Sequence, residues 1–225
     1  MRHTRAAVAT EPGGTRRRSL LGQACGMAMA CIPLISRAGA QVEEPLVDAV
    51  RNAMIASING SAPPEPVFTD TESRLNYLRW KVEMSQRLVR RKSDLVTLQE
   101  RDDFLQTVWY NCKRSRVQID LVLGLIQVES NFRRRAISSA SARGFMQVMP
   151  FWTRILGERD PAILFDMQTN LRFGCVILRH YLDRENGNLF MALGRYNGSR
   201  GKAPYPDAVM SAAKQWAHTP VQLPP

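Results

Sequence analysis

The chain has 225 residues, of which 44% are hydrophobic and 23% charged, with 14 Gly, 13 Pro and 4 Cys. That balance excludes an intrinsically disordered chain, a collagen-like chain and a multi-span membrane protein, and the length allows one or two domains. The formal net charge of +11 admits an anionic partner.

Nearly half of that charge sits in the first forty residues, which hold six Arg and one acid, Glu11, for +5 of the total. Thr15-Arg16-Arg17-Arg18-Ser19-Leu20-Leu21 opens a weakly apolar stretch to Ile35, followed by Ser36-Arg37-Ala38-Gly39-Ala40-Gln41. A basic start, a short apolar run and an Ala-x-Ala site read as a secretory signal peptide cut after Ala40, with adjacent arginines of twin-arginine type. The alternatives are an N-terminal membrane anchor, for which the apolar run is shorter than the roughly 20 residues a spanning helix needs, and a lipoprotein at Cys31, for which Ala28-Met29-Ala30 is a poor signal. Cleavage leaves 25 basic and 19 acidic residues, a charge of +6. Export and that modest charge both argue against nucleic acid as a partner.

Export also bears on the cysteines. Cys25 and Cys31 leave with the leader, so Cys112 and Cys175 remain as a pair in an oxidising compartment. A bridge between them closes a loop of 63 residues and stabilises by roughly 4 kcal/mol on the chain-entropy account. Two buried free thiols are the alternative. The two remaining His, His180 and His218, lack metal-ligand spacing with these Cys.

Along residues 41–103 a helix is predicted at Ala49–Ile58. A Pro-rich linker comes next, near 59–68, carrying Asn59-Gly60-Ser61-Ala62-Pro63-Pro64-Glu65-Pro66. From Asp70 the pattern is helical again, with Leu75, Leu78, Val82 and then Leu88, Leu95 and Leu98 near helical spacing. Thr69 or Asp70 can cap this helix, and Ser93 or Asp94 a second. Arg87, Arg90, Arg91 and Lys92 form a basic cluster between them, read first as a solvated helix face. Residues 104–217 are mostly helical: Phe104–Lys113, Ile119–Ser130, Phe151–Leu156, Asn170–Arg184, Leu189–Tyr196 and Tyr205–Trp216. Ile137–Gln147 is turn-rich and suits at most a minimal β-hairpin. The fold class is mainly α, with 218–225 as a tail.

Asp120-Leu121-Val122-Leu123-Gly124-Leu125-Ile126-Gln127-Val128-Glu129-Ser130 is apolar on almost all sides, as a helix at a domain centre is. It ends on Glu129. Burial and the negative end of the helix dipole both disfavour the ionised carboxylate there. A raised pKa suits a general acid near neutral pH. The other reading is a Glu that bridges neighbouring amides.

Three further stretches decide the matter at sequence level. Glu129-Ser130-Asn131-Phe132 leads into Arg133-Arg134-Arg135. Ala142-Arg143-Gly144-Phe145-Met146-Gln147-Val148-Met149-Pro150 stands next, and Gly194-Arg195-Tyr196-Asn197-Gly198 comes later. These motifs, in this order, resemble the soluble lytic transglycosylase (SLT) family, whose lysozyme-like fold is related to goose-type lysozyme. The resemblance covers roughly residues 108–217. It implies cleavage of the β-1,4 bond between N-acetylmuramic acid and N-acetylglucosamine in peptidoglycan, without metal or cofactor. It aligns Glu129 with the family's single catalytic acid/base. That Glu protonates the glycosidic oxygen and then accepts the proton of the muramoyl C6 hydroxyl, which closes a 1,6-anhydro ring without consuming water. The two-carboxylate arrangement of glycoside hydrolases is not required, and no second acid lies between Glu129 and Glu158. Asp160 and Asp166 are read as helix caps.

The resemblance carries over residue by residue. Ser130 is expected to hold Glu129, and Ser138 to contact substrate near the acid. Gly144 would permit close backbone approach. Met146 and Met149 would form apolar walls. Gln147 is expected to hydrogen-bond the sugar. Tyr196 is expected to pack over Glu129 and donate to it or to an N-acetyl group, and Asn197 to fix the local turn or reach the sugar. Arg133, Arg134, Arg135 and Arg143 would face anionic stem peptides or lie in an exposed loop. The sequence departs from the family pattern at Ser141, Arg195 and Gly198-Ser199, which puts subsite preference in doubt rather than the chemistry. The expected protein is a periplasmic monomer acting on glycan strands. A hydrolytic muramidase of the same fold and a non-catalytic peptidoglycan-binding or assembly protein are the alternatives.

Overall fold

The structure, a computed structural model, describes residues 51–52, 63–91, 93–155 and 160–220. The leader at 1–40, the 49–58 helix apart from positions 51–52, linker residues 59–62 and tail residues 221–225 lie outside the described residues. Among the described residues no helix is long and apolar enough to cross a membrane.

Helix α1 is Thr71–Val89. Asp70 starts it: its Oδ1 accepts from the Ser73 backbone N–H at 2.6 Å, supplying a partner that the first turn lacks. The buried face is not the Leu75–Val82 part of the leucine stripe, although Leu88 and Leu95 of that series are buried. Leu75, Leu78 and Val82 are 36%, 41% and 58% exposed, whereas Tyr77, Trp80, Met84 and Leu88 are buried. Both sets recur at helical spacing, so periodicity alone could not choose between them. The side with the two rings removes more apolar surface from water.

Helix α2 is Leu98–Ser115 and begins at Thr97 rather than at Ser93 or Asp94. The Thr97 hydroxyl accepts from the Glu100 backbone N–H at 3.1 Å, and Glu100 Oε2 accepts from the Thr97 backbone N–H at 2.8 Å. This reciprocal capping box extends the predicted 104–113 piece backward. Asp94 instead accepts from the Arg134 backbone N–H at 3.0 Å and tethers a distant loop. Helix α1 lies on α2, with Lys81 Nζ 2.7 Å from Asp102 Oδ1 and the Tyr77 ring edge-on to Trp109 at 5.1 Å.

Helix α3, Ile119–Ser130, is buried along almost all its sides, from Leu121 through Ile126, as its uniform apolarity predicts. It packs closely on α7, Pro204–Lys214. Gly124 is the point of nearest approach: a Cβ there would stand 2.5 Å from the Ala213 backbone nitrogen. Gly124→Ala is therefore expected to push α7 outward and cost about 1–3 kcal/mol, measurable by denaturant unfolding; an unchanged midpoint would mean the two helices separate freely. The basic cluster of α1 holds the far end of α7. Arg87 donates to the carbonyls of Gln215 and Ala217 at 2.6 and 3.0 Å. Arg91 donates to Gln215 Oε1 at 2.7 Å and lies over the Trp216 ring. Arg87 and Arg91 thus form a clasp, whereas Arg90 is exposed and Lys92 lies outside the described residues.

Helix α4 is Phe151–Ile155, a 3₁₀ turn covers Pro161–Phe165, α5 is Met167–Arg184 and α6 is Leu189–Asn197. Asp160 caps the 3₁₀ turn through Ala162, and Asp166 caps α5 through Thr169, each at 2.8 Å, so α5 begins one turn earlier than predicted. The turn-rich stretch holds no more than the minimal pairing expected, two isolated antiparallel bridges, Ile137 with Arg143 and Arg143 with Val148 just beyond it. Cys112 on α2 and Cys175 on α5 are buried free thiols, near enough that Cys175 adds to burial in pushing the Cys112 thiol up. The structure therefore holds the unbridged alternative: the helix packing brings the sulfurs together without a bond between them.

Candidate active site

Glu129 stands in the last turn of α3 and is 8% exposed. The chain leaves the helix through two consecutive left-handed residues, Asn131 (φ 49°) and Phe132 (φ 61°). That turn drops the Phe132 ring into the core, edge-on to Phe104 and Trp216, and fixes the height at which α3 ends. Burial pushes the Glu129 carboxyl up to about 8, against one opposing influence, a hydrogen bond from Tyr205. The Tyr205 hydroxyl donates to Glu129 Oε1 at 2.5 Å. The second oxygen, Oε2, is buried and meets no hydrogen-bonding partner of the protein. One oxygen is held and the other is free to exchange a proton.

Tyr205 is the residue that sequence reasoning missed. It opens α7 between Pro204 and Pro206 and is itself buried. Its phenol is pushed well above the ordinary range, by burial first and by Glu129 second, so it remains a donor. Pro at the first helical turn was the only local signal, and it marks a helix start, not a partner. Tyr196, expected in that role, donates instead to the Met146 carbonyl at 2.8 Å. It lies near enough to Glu129 for the carboxylate charge to raise its own pKa, after burial. Tyr196 thus supports the wall beside the acid.

That wall is the loop Ala142–Pro150. Gly144 has φ +78°, and a Cβ on it would stand 2.3 Å from Asn170 Nδ2, so the position needs glycine for both conformation and space. Asn170, for which the sequence carries no signal, binds the loop three times: its Nδ2 donates to the carbonyls of Arg143 and Leu164, and its Oδ1 accepts from the Met146 backbone N–H, each at 2.8 Å. Met146 is fully buried and packs against Gly174, while Met149 is half-buried. Gln147, buried with φ 48°, donates its amide to the carbonyls of Ala136 and Gly144 at 3.1 and 2.9 Å. Its NH₂ group is therefore committed to the loop.

The remaining expected residues serve local structure. The Ser130 hydroxyl donates back to the Ile126 carbonyl at 3.2 Å. Ser138 Oγ accepts from the Ala142 backbone N–H at 3.0 Å. Asn197 Nδ2 donates to Ser199 Oγ at 3.1 Å, which fixes the turn after α6. Arg133 Nε donates to the Ser130 carbonyl at 2.9 Å, and the Arg143 guanidinium lies over the Phe165 ring. Arg133 and Arg135 are exposed.

Residues 107–215 match the family model described as the transglycosylase SLT domain. The chain is 35% identical over 97 residues to the transglycosylase of Enterobacteria phage PRD1, covering 40% of this chain and 35% of the relative. It is 32% identical over 113 residues to the membrane-bound lytic murein transglycosylase C of Haemophilus ducreyi, covering 44% of this chain and 31% of the relative. The chain thus spans about a third of the length of the curated relatives it matches. Among solved structures, an inactive mutant of the lytic transglycosylase Slt from Pseudomonas aeruginosa aligns at 19% identity and a TM-score of 0.38, over 64% of this chain and 27% of that one.

Proposed function

We propose, for a chain whose residues 107–215 are a transglycosylase SLT domain, that the protein cleaves the bond from N-acetylmuramic acid to N-acetylglucosamine in peptidoglycan and leaves 1,6-anhydro ends. The observation that carries this reading is the state of Glu129: buried, with a pKa of about 8, one oxygen held by Tyr205 and the other unpartnered. Near neutral pH such a carboxyl is protonated and can act as general acid. Its proton goes to the glycosidic oxygen as the bond to C1 breaks. The carboxylate that results is stabilised by the Tyr205 hydroxyl. It then takes the proton of the C6 hydroxyl as that oxygen bonds to C1, which restores the neutral acid. One group serves both steps, and no water is consumed.

We further propose export behind the Arg16-Arg17 leader, with cleavage after Ala40 and action in the periplasm. Mass spectrometry of products from isolated peptidoglycan tests the chemistry. Fragments ending in anhydro-muramic acid, each lighter by one water than a reducing end, are expected. Reducing ends would replace the reading with a hydrolase, and no fragments at all would replace it with a binding role.

A further inference from the structure

A cavity of about 860 Å³ opens at the opposite end of α3 from Glu129. Ile119 and Asp120, in the first turn of that helix, form part of its wall. Ten residues of helical rise place it about 15 Å from Glu129 along the axis. Phe68, Tyr77, Trp80, Trp109 and Trp216 also line it; Phe68 and Trp109 are half-buried, and the other three are buried. Most of these residues lie outside the segment 107–215 that matches the family model.

Two polar atoms in the lining residues have no partner. Tyr77 is 7% exposed, and its hydroxyl is buried without a hydrogen bond. His218 uses Nδ1 on Glu83 at 2.6 Å, and its Nε2 is buried and unmatched. Unmade hydrogen bonds at buried polar groups are costly, and a ligand that supplies the partners regains them. The Tyr77 phenol is pushed up to about 12 by burial, so it is a donor at all working pH values. Lys113, over the Trp109 face, and Asp120 add one charge of each sign, so the walls do not favour an ionic ligand.

We propose that this cavity is a second saccharide site, which takes a neutral acetamido-sugar unit of a glycan with its apolar side against the half-buried Phe68 and Trp109 and its polar edge toward Tyr77 and His218. A pyranose pairs an apolar C–H face with a hydroxyl rim, which is the pattern of this lining. The inference rests on the proposed function, in which the substrate is a glycan polymer. A strand, or its neighbour, then engages the protein at two points on one helix, and the second point fixes where along the polymer the acid acts.

NMR of the full chain carrying Glu129→Gln, titrated with tri-N-acetylchitotriose, tests the site. The indole N–H signals of Trp80 and Trp109 are expected to shift and saturate. Tyr77→Phe, which keeps the ring, is expected to weaken that binding about tenfold while leaving any second, independent sugar-binding event unaltered. Indole signals that stay put, or an affinity indifferent to Tyr77→Phe in a folded protein, would overturn the proposal. So would the same shifts produced by tetra-alanine and not by the sugar, which would make the cavity a peptide site. Sugar-induced shifts in a protein whose wild type yields no anhydro products would keep this site and remove the catalytic reading. Anhydro products without the shifts would do the reverse.

Discussion

Glu129→Gln is expected to lower the turnover of isolated peptidoglycan by about 10²- to 10⁴-fold, the range attached to loss of a positioned general acid. Gln keeps the shape and can accept from Tyr205, but it cannot transfer a proton. The same substitution should stabilise the fold at neutral pH. The Glu129 pKa is raised from 4.5 in the unfolded chain to about 8 in the native state. Between those values the native protein binds a proton that the unfolded chain releases, so stability falls as pH rises through this window and levels above it. The Gln variant lacks this loss. Its unfolding midpoint should match wild type near pH 4, exceed it increasingly up to about pH 8, and run parallel beyond. In wild type, kcat/KM should fall on the alkaline side with a midpoint near 8, as the acid ionises. Equal midpoints for variant and wild type across the whole range would show that Glu129 is not held neutral by burial.

Tyr205→Phe is the second large effect. It removes the one hydrogen bond that favours the carboxylate form, at 2.5 Å on Oε1. Hydrogen bonds to a charged group contribute about 1.5–3 kcal/mol, so kcat should drop roughly 10- to 100-fold. The position of the pH profile separates this role from a merely structural one. Without that bond the carboxyl pKa rises further, and the alkaline limb should move to higher pH while the plateau falls. Tyr196→Phe is the control. Its hydroxyl serves the Met146 carbonyl, so it should lower thermal stability and leave the limb in place. A limb that shifts with Tyr196→Phe and not with Tyr205→Phe would reverse the two assignments.

The contrast between the two tyrosines shows where sequence reading stops. Tyr196 sits in a local motif, and motif position suggested a contact with the acid. Which phenol reaches Glu129 is decided by how α6 and α7 pack across the end of α3, a relation between residues 76 positions apart in the chain. No spacing rule carries that information. Gln147 and Ser130 make the same point. Motif position suggested contacts with the sugar and with Glu129, and their hydrogen bonds are spent on the loop and on the helix itself.

The sequence by itself determined the chemistry that depends on near neighbours. An all-round apolar helix ending in Glu129 has to be central, and a carboxylate at its buried end has to resist ionisation. Asp70, Asp160 and Asp166 each cap the helical turn that begins just after them, because a short carboxylate beside free N–H groups has few other outcomes. The capping box at Thr97–Glu100 was equally local and equally available, and it sets the true start of α2. Only the tertiary structure decided which of two equally periodic faces is buried and which distant groups meet. The ring face of α1 turned inward in place of the Leu75–Val82 stripe because Trp109 of α2 offered aromatic surface to cover it. The same packing put Arg87 and Arg91 on Gln215 and Ala217 just past α7, two thiols side by side, and Tyr205 on the acid. Each is an energy shared between elements far apart in sequence, and it exists only once the chain has closed.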